Sequence, residues 1–143
     1  MKIKRLTSTA KIPTRGSQYA AGWDLYADTD HSIMINPHET VKIGTGISLE
    51  IPTGYWGGIY ARSGLATNVG LRPANCVGAI DSDYRGEIIV ALHNDTDEVQ
   101  VINSAERIAQ LIFMKTYDCT FEEVTDLKET ERGTGGFGST GLE

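Results

Sequence analysis

The chain has 143 residues, of which 40% are hydrophobic and 22% charged, so it is long enough for one globular domain with its own core and too short for two. A formal net charge of −6 would repel a long polyanion, which argues against polymeric nucleic acid as a partner, although local arginines or a metal can still hold a small phosphorylated ligand. The sequence contains neither an apolar run that could span a membrane nor a secretory signal after Met1, so we expect a cytoplasmic protein without a membrane partner.

Hydrophobic residues alternate with polar or small ones along much of the chain, which is typical of half-buried β-strands. After a turn-like run at 94–97, Val99 and Val101 predict the return strand of a hairpin. The denser apolar run at 107–115 predicts a strand buried on both faces. The other predicted strands are centred on 33–35, 41–43, 47–51 and 88–92.

Helical periodicity is missing from every long window, and only 63–69 predicts a short helical turn. The chain holds 16 glycines, well above the usual share of about 7%, and they punctuate closely spaced strands together with Pro and Asn. This pattern predicts an all-β sandwich, jelly roll or barrel.

Several familiar motifs give no support to other chemistry. The string at 133–138 fits G-x-G-x-x-G, but no crossover helix can follow it, and the chain has no phosphate-binding P-loop or zinc-protease motif. Cys76 and Cys119 form no CxxC unit, so we interpret them as buried free thiols in a reducing compartment.

Polar residues stand where predicted strands meet glycine-rich turns. Arg62 precedes Ser and Gly, a combination that can hold phosphate oxygens but is also common in ordinary loops. Asp81 and Asp83 form either a site or a solvated turn. Asp24 lies among large apolar residues and needs a partner, and Gln110 interrupts an apolar strand, as a satisfied core amide does.

The glycine-rich segment at 132–141 cannot bury enough surface to offset the entropy of ordering it. It is either a disordered end or a flap that closes over a ligand.

Taken together, five segments resemble the trimeric dUTPase family, in the order and with the spacing of that family and over nearly the whole chain. The segments are AGWDLYA (21–27), ARSGLA (61–66), GAIDSDYRGEI (78–88), RIAQLI (107–112) and RGTGGFGSTG (132–141).

The resemblance implies an all-β jelly-roll-like barrel, with at most one short helix and a flexible C-terminal tail, that forms a homotrimer with shared active sites. It implies hydrolysis of dUTP to dUMP and pyrophosphate, which keeps uracil out of DNA and supplies dUMP for thymidylate synthesis. Asp81 matches the aspartate that directs water at the α-phosphorus in line with the leaving pyrophosphate, and Asp24 matches the acid that holds hydrated Mg²⁺ through water.

The resemblance also implies the substrate contacts. Residues 1–131 would be the barrel domain and 132–143 a lid, with Arg132 on the γ-phosphate and Phe137, beside Gly138, stacked on uracil. The implied phosphate contacts are Arg62, Ser63, Gly64 and Gln110, and the implied nucleoside contacts are Asn75, Ala79, Ile80, Asp81, Tyr84 and Ile89.

Two departures from the family pattern are Ala61, where proline is common, and Trp23, where tyrosine is common. The nearest alternative enzyme is dCTP deaminase, which shares the fold but needs a glutamate base and a different phosphate loop. Two alternatives from other functional classes are a nucleotide-binding regulator and a purely structural β-module.

Overall fold

The computed structural model describes residues 1–136, which form eleven strands and one short helix with π-type hydrogen bonding. The tail residues 137–143, including the predicted contacts Phe137 and Gly138, lie outside the described residues. The elements are β1 (Lys2–Arg5), β2 (Trp23–Tyr26), β3 (Ile33–Ile35), β4 (Thr40–Gly44), β5 (Ile47–Glu50), β6 (Tyr55–Tyr60), the helix Leu65–Val69, β7 (Leu71–Pro73), β8 (Gly78–Ile80), β9 (Ile89–Asn94), β10 (Gln100–Ile102) and β11 (Arg107–Lys115).

The strands pair antiparallel in four sheets. The largest has the order β2-β11-β6-β8, and a second has the order β4-β9-β7. Two ladders of two strands, β1-β5 and β3-β10, complete the described part of the chain. The all-β, jelly-roll-like architecture with a single short helix at the expected place is confirmed.

The core follows from the alternation in the sequence. In β9 every second side chain is buried, and its partner β4 contributes Ile43 from the same side. Each large side chain that is fully buried stabilises the fold by about 1.5–3 kcal/mol. The largest of these are Leu25, Ile35, Ile43, Ile47, Leu71, Ile88, Leu92, Ile102, Ile108 and Leu111.

Strand β11 is central to the largest sheet, with β2 on one side and β6 on the other. Its first half contains the neighbouring buried residues Ile108 and Ala109, which point to opposite faces, as the dense apolar run predicts. In its second half, residues 112–114 are only half-buried.

The predicted hairpin after 88–92 is wrong. Strand β9 pairs with β4 and β7, whereas Val101 in β10 pairs with Met34 in β3. The fully buried Asn94 side chain explains the crossing, since its Nδ2 donates to the backbone carbonyls of Ile35 (3.1 Å) and Glu98 (2.7 Å). These bonds tie the 94–98 turn to the end of β3, so the chain leaves its own sheet.

The prediction of buried thiols is also wrong. Cys76 and Cys119 are free, as expected, but both are exposed. Cys76 lies in the turn between β7 and β8 with a φ of 61°, and Cys119 follows β11 in a segment without regular structure, so neither belongs to a core-facing strand. No helix in the described chain is long and apolar enough to cross a membrane.

Candidate functional site

The register of the largest sheet brings two predicted site residues together. Gln110 on β11 pairs with Asp24 on β2 and with Tyr60 on β6. Directly opposed residues in adjacent strands point to the same face, so the carboxylate and the amide become neighbours. Arg62, two residues beyond the end of β6, lies at the same end of the sheet.

Asp24 is held by two guanidinium groups. Its Oδ1 accepts a hydrogen bond from Arg62 Nε at 2.9 Å, and its Oδ2 accepts one from Arg107 Nη1 at 3.2 Å. The Asp24 side chain is 13% exposed, and those of Arg62 and Arg107 are 28% and 50% exposed. This confirms that the acid among apolar residues is paired. Arg107 was missed from the sequence, where it reads as the polar start of a buried strand.

Gln110 is the fourth member of this group of side chains. Its Nε2 donates to the carbonyl of Ala61 at 2.8 Å, which confirms the prediction of a satisfied amide. Gly22 makes room for it, because a Cβ at that position would lie 2.5 Å from Gln110 Oε1. We call Asp24, Arg62, Arg107 and Gln110 the Asp24 cluster.

Ser63 and Gly64 follow Arg62 and lead into the short helix. Both are exposed, and nothing lies within 4 Å of where a Gly64 side chain would start. Thr67 Oγ1 donates to the Ser63 carbonyl at 2.7 Å, and the Ala66 amide donates to the Arg62 carbonyl at 2.9 Å. The turn is therefore braced from within, while the Ser63 side chain faces solvent.

A second group of predicted residues lines a cavity of about 160 Å³ next to β8, which forms the edge of the largest sheet opposite to β2. It contains the predicted base, the predicted sugar-packing ring and one glutamate that the sequence did not single out. The lining residues of this Asp81 cavity are Ala79, Ile80, Asp81, Tyr84, Glu87 and Ile89.

Asn75 lines an adjoining cavity of about 220 Å³ together with Lys42, which the sequence did not single out. Ile89 lines both cavities, so the two are neighbours. A Cβ on Gly78 would approach Asn75 Nδ2 to 3.2 Å, so the glycine lets the amide pack closely at the start of β8.

The segment around Asp81 joins two strands that belong to different sheets. Strand β8 pairs with β6, whereas β9 pairs with β4 and β7. The chain between them forms a turn in which the Tyr84 amide donates to the Asp81 carbonyl at 3.2 Å. The chain therefore connects two sheets here, and the Asp81 cavity lies where they meet.

Asp81 and Arg62 lie far apart in one chain. Ile80 pairs with Gly57, whereas Asp24, which holds the Arg62 guanidinium, lies at the level of Tyr60, three residues or about 10 Å further along the strands. The Arg62 guanidinium also reaches Asp24 on β2, which is three strand spacings, about 14 Å, from β8 across the sheet. The two displacements combine to about 17 Å, so one chain does not bring these side chains to the same phosphate group.

Arg132 is exposed, and its Nε donates to the carbonyl of Gly135 at 3.1 Å. The described contacts of Arg132 do not connect it to the Asp24 cluster or to the Asp81 cavity. Among residues 1–136, the structure holds no cluster of three or more His, Cys, Asp or Glu side chains arranged to hold a metal ion.

Comparisons with known proteins agree on one family. The family model described as dUTPase matches residues 8–141. The deoxyuridine 5'-triphosphate nucleotidohydrolase of Syntrophotalea carbinolica is 44% identical over 142 residues, which are 99% of this chain and 97% of that protein. The protein of the same name from Nautilia profundicola is 47% identical over 141 residues, covering 99% and 98% of the two chains.

Among solved structures, a mutant dUTPase of Staphylococcus bacteriophage 80alpha with dUpNHpp has a TM-score of 0.87 and 26% identity, covering 99% of this chain and 98% of that one. The chain belongs to the dUTPase family, the deoxyuridine 5'-triphosphate nucleotidohydrolases.

Proposed function

We propose that this chain hydrolyses dUTP to dUMP and pyrophosphate by in-line attack of water on the α-phosphorus, in sites that subunits of a homotrimer build together. Membership of the dUTPase family supports the overall reaction. The observation that carries the shared site is the separation of Asp81 from the Asp24 cluster in a single chain.

Asp81 is the proposed general base. It is exposed on the wall of a cavity that also holds Ile80 and Tyr84. An aspartate is a weak base at neutral pH, so it acts chiefly by orienting a water molecule towards the phosphorus and accepting its proton as the bond forms. The electron pair of the breaking P–O bond leaves with pyrophosphate.

The Asp24 cluster is the proposed phosphate site. Arg62 and Arg107 together carry two positive charges against the single negative charge of Asp24, so the cluster keeps an excess charge that attracts the triphosphate. The exposed Ser63 hydroxyl, the Gly64 backbone and the Gln110 amide supply further hydrogen bonds. Fixed donors around the phosphates stabilise the charge that develops on the leaving group.

Mg²⁺ fits this arrangement as a hydrated ion. An ionised carboxylate offers about four acceptor positions, and in Asp24 each oxygen receives one guanidinium hydrogen bond. The remaining positions can accept hydrogen bonds from water ligands of the ion, as suits a cation that dehydrates reluctantly. When bound, Mg²⁺ neutralises charge on the triphosphate oxygens.

Recognition of deoxyuridine is assigned to the two adjoining cavities. Asn75 contacts the uracil edge, helped by backbone groups of Ala79, Ile80 and Asp81. A close fit excludes the methyl group of thymine, and mismatched donors and acceptors exclude cytosine. Tyr84 lies under the deoxyribose, where a 2′-hydroxyl would clash, and Ile89 flanks the sugar.

The segment 132–143 is the proposed lid over the barrel domain 1–131, with Arg132 on the γ-phosphate and Phe137, beside Gly138, on uracil. Its five glycines let the chain order around a ligand and release it again. Phe137 and Gly138 fall outside the described residues, so the support for this part is the sequence alone.

The exposed segment at 116–131, here called the arm, supports assembly. It has no regular strand and carries large side chains that are almost fully exposed, with Phe121 at 98% and Leu127 and Tyr117 at 86%. Apolar side chains at such exposure favour burial against another chain. An arm that reaches a neighbouring subunit fits a homotrimer in which chains contribute different parts of each site.

Subunit mixing tests the shared site. Asp81→Asn and Arg62→Ala are each expected to be nearly inactive alone in a pyrophosphate-release assay with dUTP. When the two variants are unfolded together and refolded as a 1:1 mixture, about a quarter of the sites receive Asp81 and Arg62 from intact partners, so activity returns to about that fraction of wild type.

The matched control mixes Asp81→Asn with the double variant Asp81→Asn, Arg62→Ala, in which no site has an aspartate and no activity returns. Absence of recovery in the first mixture, with assembly intact by light scattering, contradicts a site divided between chains. Wild-type protein that releases no pyrophosphate from dUTP contradicts the proposed reaction itself.

A further inference from the structure

Glu87 is the one acidic residue that lines the Asp81 cavity besides Asp81, and nothing in the proposed reaction uses it. Its carboxylate is not placed as a second base, because Oε1 already accepts a hydrogen bond from the backbone amide of Gly46 at 2.8 Å. That bond crosses from the turn between β8 and β9 to the bend between β4 and β5. Glu87 therefore joins the cavity wall to a neighbouring part of the fold.

The bend that receives Glu87 is built to let the carboxylate approach the backbone. A side chain at Gly44 would collide with Glu87 Oε1, and Gly46 has a φ of 65°, which favours glycine. Between them, Thr45 Oγ1 donates to the Ile88 carbonyl at 2.6 Å, immediately after Glu87 in the chain. The contact between the bend and the turn is thus continuous over several residues.

The backbone of Glu87 holds the other functional side chain of the cavity. Tyr84 Oη donates to the Glu87 carbonyl at 2.9 Å, and the hydroxyl passes over Gly86 so closely that a Cβ there would collide with it. The position of the Tyr84 ring therefore depends on where the Glu87 peptide lies. The Gly46 bond holds the Glu87 side chain, and the Ile88 amide, which belongs to the same peptide group as the Glu87 carbonyl, donates to the Ile47 carbonyl at 2.9 Å.

We propose that Glu87 is a positioning residue that sets the floor of the sugar pocket, acting through Tyr84, and thereby determines how strongly the enzyme rejects ribonucleotides. This inference rests on the proposed function. A tyrosine ring that is free to move by a fraction of an ångström leaves space for a 2′-hydroxyl, so the anchor of the ring matters as much as the ring.

Steady-state kinetics with dUTP and UTP test the role. Glu87→Ala removes the acceptor for Gly46, so we expect the KM for dUTP to rise about tenfold and the preference in kcat/KM for dUTP over UTP to fall by about the same factor, with kcat changed less. Glu87→Gln retains a carbonyl oxygen that can accept from Gly46 and should restore both values to near wild type. Glu87→Asp keeps the charge but is one methylene shorter, so its KM and its preference for dUTP should lie between those of the other two variants. It replaces the alanine variant in the test if that variant does not fold.

Glu39→Ala is the matched control. Glu39 Oε2 accepts a hydrogen bond from the Asn36 backbone amide at 2.8 Å, the same kind of carboxylate-to-backbone bond in a turn away from both cavities. This variant should lose comparable thermal stability and keep wild-type KM and wild-type preference for dUTP. Wild-type discrimination in Glu87→Ala or Glu87→Asp, in an enzyme that hydrolyses dUTP, overturns the positioning role, whereas a wild-type protein inactive on dUTP refutes the proposed function instead.

Discussion

The Asp24 cluster and the Asp81 cavity differ in what their polar side chains bind. In the Asp24 cluster the functional groups bind one another, with one carboxylate between two guanidinium groups. In the Asp81 cavity the bracing bonds go to backbone atoms of the turn and of the neighbouring bend, and no donor in the described chain contacts the Asp81 carboxylate. The first region is a partly buried network of charges, and the second leaves Asp81, the proposed base, unpaired among residues 1–136 beside a hydrogen-bonded turn.

Under the proposed function, the difference indicates how each region would meet its ligand. A phosphate that enters the Asp24 cluster competes with a carboxylate already present, so binding there exchanges one anion for another. A nucleoside that enters the Asp81 cavity meets a preformed wall, so fit decides the outcome. Substitutions in the two regions should therefore fail in different ways.

The largest expected effect is the loss of turnover in Asp81→Asn. The amide cannot accept the proton of the attacking water, and removal of a general base typically costs about 10²- to 10⁴-fold in kcat. Because the Asp81 side chain makes no hydrogen bond within the described chain, binding of dUMP, followed by quenching of tryptophan or tyrosine fluorescence, should stay within about twofold of wild type. Asp83→Asn, an exposed acid two residues away, is the control and should keep wild-type kcat. Equal losses of kcat in both variants would mean that Asp81 acts as part of the turn and not as a base.

A moderate effect is expected from Gly22→Ala, which perturbs the Asp24 cluster without touching a charge. The new Cβ would lie 2.5 Å from Gln110 Oε1 and 3.2 Å from Gln110 Cβ, so the amide must leave its place beside Ala61. Overpacking of this kind costs about 1–3 kcal/mol in the free energy of unfolding, measured by urea titration. In a Gln110→Ala background the same change should cost little, and an undiminished penalty there would show that the strain lies elsewhere.

Local polarity in the sequence was sufficient to predict much of the Asp24 cluster. An aspartate and a glutamine that interrupt apolar strands must find partners, and both did. Arg107 was missed because an arginine at the start of a strand has no such requirement. Glu87 was missed for a similar reason, since its partner is a backbone amide 41 residues away that only the fold brings close.

The positions of strands with one buried face were predicted well from the sequence. The partners with which those strands pair were predicted poorly. Alternation identifies a strand such as β9, but its ladder depends on non-local contacts. The false hairpin between β9 and β10 arose because the 94–97 turn looks local, whereas the buried Asn94 side chain binds it to β3. The separation of Asp81 from Arg62 likewise follows from the register of β6 and β8, which no motif encodes.

The smallest expected effect concerns an exposed ion pair, which sharpens the contrast with the partly buried Asp24 cluster. Lys2 Nζ lies 2.9 Å from Glu50 Oε1 across β1 and β5, with the two side chains 80% and 48% exposed, and this hydrogen bond lowers the pKa of Glu50. A lowered folded-state pKa stabilises the fold above the unfolded-state value of the carboxyl, and that contribution disappears as the pH falls through the folded-state value. Solvent screens a pair this exposed, so Lys2→Ala should lower Tm at pH 7 by little more than the scatter of replicate melts, and the difference should vanish in acid. A large drop in Tm at pH 7 that persists in acid would mean that Lys2 stabilises β1 through packing of its aliphatic stem, and exposure would then be a poor guide to which ion pairs matter in this fold.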